Sequence, residues 1–262
     1  MDETVSDSLL NQARRRRGIY LLPNLFTTAA LFSGFFAIVQ AMNGNFVDSA
    51  QAIFVAMVLD GLDGRVARLT RTQSAFGAEY DSLSDMVSFG AAPSLLMYEW
   101  ALRGMGKLGW LAAFVYCCGA ALRLARFNTQ LGIVDKRYFI GLPSPAAAAL
   151  IAGLVWVAHG DYQVPGRDLQ WFVWALTLFA GLTMVSNVKF YSFKDINLRR
   201  AVPFWVVLVV MLLFVVITID QALVLFAGFA IYAVHGYALL AWSRVGRWRK
   251  VSRPKLRVVR DE

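Results

Sequence analysis

Residues 60 to 85 hold four aspartates in two pairs, with Asp60 and Asp63 three positions apart and Asp81 and Asp85 four apart. On a helix either spacing puts both carboxylates on one face. Gly64 falls four residues after Asp60 and Gly77 four before Asp81, and a glycine on the same stripe leaves room for a ligand to approach the backbone. Glu79, two residues before Asp81, points the other way and stays outside the set. Carboxylates gathered in a low-dielectric pocket repel one another unless a cation compensates them. Hard oxygen ligands select Mg²⁺ or Mn²⁺, with Ca²⁺ able to substitute structurally, and the lack of histidine or cysteine at ligand spacing argues against zinc. Arg68, five residues past Asp63, stands about 7 Å farther along the helix, within reach of a phosphate bound to that metal. Near a membrane surface, such a pocket suits a phosphorylated lipid.

The elements that position these residues must be membrane helices. Of the 262 residues 58% are hydrophobic and only 16% charged, and the mean hydropathy is +0.53, more apolar surface than one soluble core of this size uses. Runs of about 20 mainly apolar residues fall near 24–42, 46–67, 80–102, 108–126, 143–160, 169–188, 201–219 and 221–242, the last two being the least separable. With the amino terminus in the cytoplasm, 23 of the 26 basic residues lie on that side and only Arg103, Lys107 and Arg167 lie outside. Losing one span would invert everything after it, so this asymmetry supports the count. The expected fold is an all-α integral membrane protein of about eight transmembrane helices, both termini cytoplasmic. Asp60 lies fourteen steps from Phe46, and Asp85 fifteen from Trp100, so both pairs sit about 21–22 Å from the outer ends of antiparallel helices, in a hydrocarbon core about 30 Å thick. The four carboxylates converge just below the cytoplasmic boundary.

Other features receive plainer readings. Cys117 and Cys118 are adjacent inside a span, and His159 and His235 have no partner at ligand spacing, so all four are packing residues. The opening segment is acidic and polar, which predicts no cleavable signal peptide. Residues 1–22 read as a loose or interfacial cytoplasmic segment, 23–242 as one transmembrane domain without internal repeats, and 243–262 as a basic cytoplasmic tail. The basic ends suit positive-inside topology and attraction to anionic lipid. Without a folded reading head they predict no nucleic-acid partner.

Written out, the motif is Asp60, two residues, Asp63, Gly64, two residues, Ala67, Arg68, eight residues, Gly77, three residues, Asp81, three residues, Asp85. At every fixed position it resembles the CDP-alcohol phosphotransferase family of membrane enzymes, over roughly residues 20–200. The resemblance implies transfer of a substituted phosphate from a CDP-linked donor to an alcohol, with release of CMP. Carried over by position, Asp60, Asp63 and Asp81 would hold one or two divalent metals on the donor diphosphate. Asp85 would lie near the metals and act as the general base. Gly61 and Gly64 would let the nucleotide lie against the helix, with Gly77 on the facing stripe and Arg68 on a phosphate. Homodimers in the cell's inner (cytoplasmic) membrane, with the active site facing the cytoplasm, are also implied.

Three further stretches, "LLPNLFTTAALFSGFFAI", "RLARFN" at 123–128 and "KRYFIGLPSPAAAA" at 136–149, resemble the phosphatidylserine synthase branch. They point to CDP-diacylglycerol as donor and L-serine as acceptor. Arg123, Arg126 and Lys136 supply positive charge for the serine carboxylate, and Asn128 can donate or accept, although topology alone also accounts for each basic residue. Asn24, Thr27 and Thr28 are candidates for cytidine or ribose contacts, or equally for a helix cap after Pro23. Two alternatives remain. One is the same chemistry with glycerol 3-phosphate or inositol phosphate as acceptor, which wants a denser basic pocket. The other is a divalent-cation transporter, against which stands the lack of matched broken spans in two halves.

Overall fold

A computed structural model of the protein describes residues 3–70, 72, 74–129, 138–191 and 204–251. Nearly all of them are helical. Helix α1 (Glu3–Met42) runs without a break through Pro23, so the opening segment is helical from Glu3 onward rather than loose. It ends where Gly44 takes a positive φ of 80°, a conformation glycine adopts without penalty. There the Gly44 and Asn45 amides return to the Ala41 and Gln40 carbonyls at 3.1 and 2.9 Å. The chain then reverses into α2 (Phe46–Thr70), with Asp48 in its first turn and Arg68 in its last, each complementing the helix dipole.

Helix α3 (Ala75–Asp85) opens on Ser74, whose side chain accepts the Gly77 amide at 3.0 Å. Directly after Asp85 the rod widens into a π-helical stretch, Met86–Ala91, narrows to α4 (Ala92–Met97), and widens again over Tyr98–Leu102. Helix α5 (Lys107–Thr129) follows, then α6 (Ser144–Val155) with a π-helical end Trp156–Asp161, and α7 (Gln170–Val185). The last two helices, α8 (Phe204–Ile219) and α9 (Gln221–Val251), are separated at Asp220, whose carboxylate caps the Leu223 amide at 2.9 Å. That cap resolves the two segments least separable by hydropathy.

Among the described residues, four helices are long and apolar enough to cross a membrane, Leu22–Met42, Lys107–Thr129, Gly166–Val185 and Gln221–Ala241. α2, the α3–α4 rod, α6 and α8 occupy the other four apolar segments. The all-α expectation needs one correction. Strands β1 (Tyr138–Ile140) and β2 (Lys189–Tyr191) pair antiparallel, Phe139 opposite Phe190. Their aromatic and β-branched residues favour strands, but three-residue runs in charged connections carry no readable alternation.

Helix α6 is the centre. Nearly all its residues are buried, and it touches α2, α4, α5, α7 and α9. Small side chains allow close approach, as they must where lipid offers no hydrophobic drive between helices. A Cβ on Gly181 of α7 would stand 2.8 Å from the Tyr116 Cα on α5, and one on Gly119 would strike the Gly181 carbonyl. Outward faces carry large apolar side chains, with Phe32 and Ile231 each 70% exposed, as lipid contact requires. Serine hydroxyls stitch α1 to its neighbours. Ser33 donates to the Ala52 carbonyl at 2.8 Å, Ser49 to Ala37 at 2.7 Å and Ser88 to Ala30 at 3.1 Å.

Replacing Gly181 with valine overpacks the α5–α7 seam, and we expect a loss of about 1–3 kcal/mol. A lower Tm in detergent would read it out. Gly228→Ala, where a Cβ meets nothing within 4 Å, is expected to hold or gain up to about 1 kcal/mol.

Candidate metal and phosphate site

The two helical spacings meet as the sequence requires. Asp60 and Asp63 end up on the face of α2 that looks at α3. The Ser74 cap and the hydrogen bond from the Thr72 amide to the Ala67 carbonyl, 3.0 Å, close the turn that brings Asp81 and Asp85 opposite them. Asp60, Asp63 and Asp81 each offer a carboxylate oxygen, and these oxygens lie within 4.8 Å of one another. The Asp60 carboxylate also rests against that of Asp85. Asp63 is buried, 4% exposed, and its Oδ2 accepts the Thr27 hydroxyl at 2.7 Å. The Oδ1 atoms of Asp81 and Asp85 are buried with no hydrogen-bond partner.

These residues fit a divalent cation. Two oxygens on one Mg²⁺ lie at most about 4.2 Å apart, and on one Ca²⁺ about 5 Å, the scale of the observed cluster. Orphaned buried carboxylate oxygens are costly without a proton or a cation. Uncharged hydroxyls and amides nearby do not offset four carboxylates; among the described residues, Arg123 interacts electrostatically with Asp60 and Asp85. Its guanidinium donates to the Ser144 hydroxyl.

Beside the cluster opens a cavity of about 390 Å³, within the usual range for a small-molecule site. Asp63, Asp81 and Asp85 form its floor, and Gly64, Arg68, Gly77, Asn24 and Thr27 stand in its wall. Asp60 does not line the cavity. Gly61 and Thr28 do not line the cavity. Gly61 is exposed with nothing within 4 Å of a Cβ. Thr28 donates to the Asn24 carbonyl at 2.7 Å and lies 2.9 Å from the Tyr80 hydroxyl. Neither α1 threonine caps a helix, since Pro23 lies inside α1.

Of the acceptor candidates, Asn128 lines the cavity and donates to the Ser82 hydroxyl at 3.0 Å. Arg123 donates to Ser144, and Arg126 donates to Asn187 Oδ1 at 3.3 Å. Lys136 lies outside the described residues. Glu79 is exposed and outside the cluster, as its spacing predicts. Cys117 and Cys118 are unbridged, and His159 packs edge-on to Phe46 at 5.2 Å. Ser74, Ser82, Leu124 and Phe127 also line the cavity, and Ser144 holds Arg123. A lone serine or an apolar residue inside an apolar run gives no sequence signal of its own. Only the Ser74 cap was readable, as a serine opening a helical stretch after a turn.

Comparison with known families matches residues 20–185 to the CDP-alcohol phosphatidyltransferase model. The chain belongs to that family. A Helicobacter pylori strain J99 protein named CDP-diacylglycerol–serine O-phosphatidyltransferase is 36% identical over 224 residues, covering 86% of this chain and 92% of its own. A Methanocaldococcus jannaschii protein of the same name is 35% identical over 179 residues, 68% of this chain and 78% of its own. A Saccharomyces cerevisiae protein of that name is 39% identical over a shorter 139 residues, 48% and 50% of the two chains.

Cation binding has a direct consequence for stability. Mn²⁺ at about 100 times its Kd is expected to stabilise metal-free protein by about 2.7 kcal/mol, read as a higher Tm in detergent. Asp60→Asn and Asp81→Asn should lose that rise. A parent protein whose Tm ignores every divalent ion would count against the site.

Proposed function

We propose that the protein transfers the phosphatidyl group of CDP-diacylglycerol to the hydroxyl of L-serine, giving phosphatidylserine and CMP. The convergence of four aspartates from α2 and α3 in one cluster, three of them lining the cavity and two with orphaned oxygens, carries the reading. The names borne by the H. pylori and M. jannaschii relatives support its substrates. We place the site near the cytoplasmic leaflet of the cell's inner membrane, in a chain of eight spans with both termini cytoplasmic and a homodimeric assembly. Residues 1–22 and 243–262 flank the 23–242 membrane domain, and their basic residues attract anionic lipid.

In this mechanism Asp60, Asp63 and Asp81 hold the divalent ion, Mg²⁺ or Mn²⁺. When bound, that ion supplies Lewis-acid neutralisation of the donor diphosphate and of the departing CMP oxygens. Asp85 takes the proton of the serine hydroxyl as its oxygen attacks the phosphatidyl phosphorus and the bond to CMP breaks. Its place four residues beyond Asp81 keeps it beside the ligands without requiring full coordination. Arg68, at the cavity wall, contacts a donor phosphate as a planar fork. Asn24, Gly64 and Gly77 border the nucleotide. Arg123, Arg126, Asn128 and Lys136 form the acceptor side, Asn128 from within the cavity.

Radiolabelled serine with CDP-diacylglycerol and a metal titration tests this directly, with lipid product and CMP as readouts. Glycerol 3-phosphate and inositol phosphate serve as competing acceptors, and CMP release with either but not with serine would overturn the acceptor. Asp85→Asn is expected to keep donor and ion binding while kcat falls about 10²–10⁴-fold, whereas Asp60→Asn loses both. Near-normal turnover by Asp85→Asn would remove the base assignment.

A further inference from the structure

Helix α1 brings no carboxylate to the site, yet it touches both helices that do. The contact on the α2 side is the Thr27 hydroxyl, which donates to Asp63 Oδ2 at 2.7 Å. Its other acceptor, the Pro23 carbonyl one turn back, is at 3.2 Å. One hydroxyl has one proton, and the shorter bond to an ionised acceptor is the stronger. Thr28, next along the chain, makes the contrast. Its hydroxyl takes the ordinary route back to the carbonyl four residues earlier at 2.7 Å, the local bond expected of helical threonine. Thr27 is 4% exposed and Thr28 is exposed, so the hydroxyl that leaves the local pattern is the buried one.

On the α3 side the contact is the backbone of the same residue. The Thr27 carbonyl accepts the Ser84 hydroxyl at 3.2 Å, and Ser84 is 2% exposed and immediately precedes Asp85. One residue of a helix without ligands therefore grips the Asp63 side chain directly and the backbone neighbour of Asp85 through a serine. Ser33 to Ala52 and Ser88 to Ala30 continue the same two seams farther from the site.

We infer that Thr27 is a positioning residue that fixes the Asp63 carboxylate and the spacing of the two aspartate pairs for a divalent ion, rather than a nucleotide contact. This rests on the cation reading of the preceding section. A carboxylate anchored through one oxygen presents its remaining lone pairs in one arrangement, and loss of such an outer partner typically costs about 10–100-fold in metal affinity.

The test uses full-length protein in detergent and Mn²⁺ as the probe, with free ion read by electron paramagnetic resonance. Thr27→Val keeps the shape and removes the donor, while Thr27→Ser keeps the donor. Thr27→Val is expected to raise the Mn²⁺ Kd at least about tenfold and Thr27→Ser to stay near the parent. The apparent metal constant for CMP release should move with the Kd, while kcat at saturating Mn²⁺ moves far less. Ser84→Ala, which cuts only the other link, should weaken Mn²⁺ less than Thr27→Val does, and it stands in if the valine variant does not fold. Binding by Thr27→Val or by its stand-in equal to the parent, with Asp63→Asn losing the ion, would overturn the role of Thr27 alone. Equal binding by parent and Asp63→Asn would instead overturn the cation reading and this inference with it.

Discussion

Four carboxylates at one level of two antiparallel helices are an arrangement that repels itself, and the rest of the structure is organised around holding it in place. Coulomb repulsion between unit charges about 4 Å apart is of order 4 kcal/mol at an effective dielectric of about 20, comparable with a large share of a domain's stability. A cation reverses the sign of that energy. The helices must then be held close enough for the oxygens to share one ion and stiffly enough that they do not part without it. α2 and α3 are joined by a short turn capped at Ser74, which fixes one end. The hydroxyl seams from α1 fix their lateral spacing.

Away from the site the packing follows a different rule. Around α6 the interfaces are rich in alanine, and many large aliphatic and aromatic side chains face outward. In water this would be inverted. In lipid, close backbone approach is what holds helices together, and the apolar exterior needs no partner. Away from the cluster, several serine hydroxyls, Ser33, Ser49 and Ser88, donate to backbone carbonyls of a neighbouring helix. Widening of the rod into a π-helical turn directly after Asp85 belongs to the same economy. Such turns recur at functional sites, and this one begins at the residue after the proposed base.

How much of this was legible depended on whether a feature repeats with the period of its helix. Asp60, Asp63, Asp81 and Asp85 were readable because the 3- and 4-residue spacings and the apolar runs around them both survive in one dimension. The eight apolar segments were readable for the same reason, and each now holds a helix. What stayed hidden lay across helices. Thr27 gave no sign that its hydroxyl would reach Asp63, thirty-six positions away, and nothing in "LPSPAA" marked Ser144 as the partner of Arg123. Gly61 and Gly64 look equivalent in sequence, yet Gly64 lines the cavity and Gly61 does not. The strands β1 and β2 were missed because three residues cannot display a period.

The charge around the cavity bears on the choice of acceptor. Among the described residues that line it, Arg68 is the one cationic side chain. Arg123, which donates to Ser144, and Arg126, which donates to Asn187 Oδ1, stand beside the cavity rather than in its lining. A phosphorylated acceptor would bring about two more negative charges into a site that already holds four carboxylates and the donor diphosphate. A zwitterion brings no net charge. Its ammonium group is welcome near carboxylates, and its carboxylate needs a single compensating contact, for which a polar side chain such as Asn128 beside one arginine suffices. Among the described residues, the single cationic side chain lining the cavity suits a zwitterionic acceptor better than a phosphorylated one.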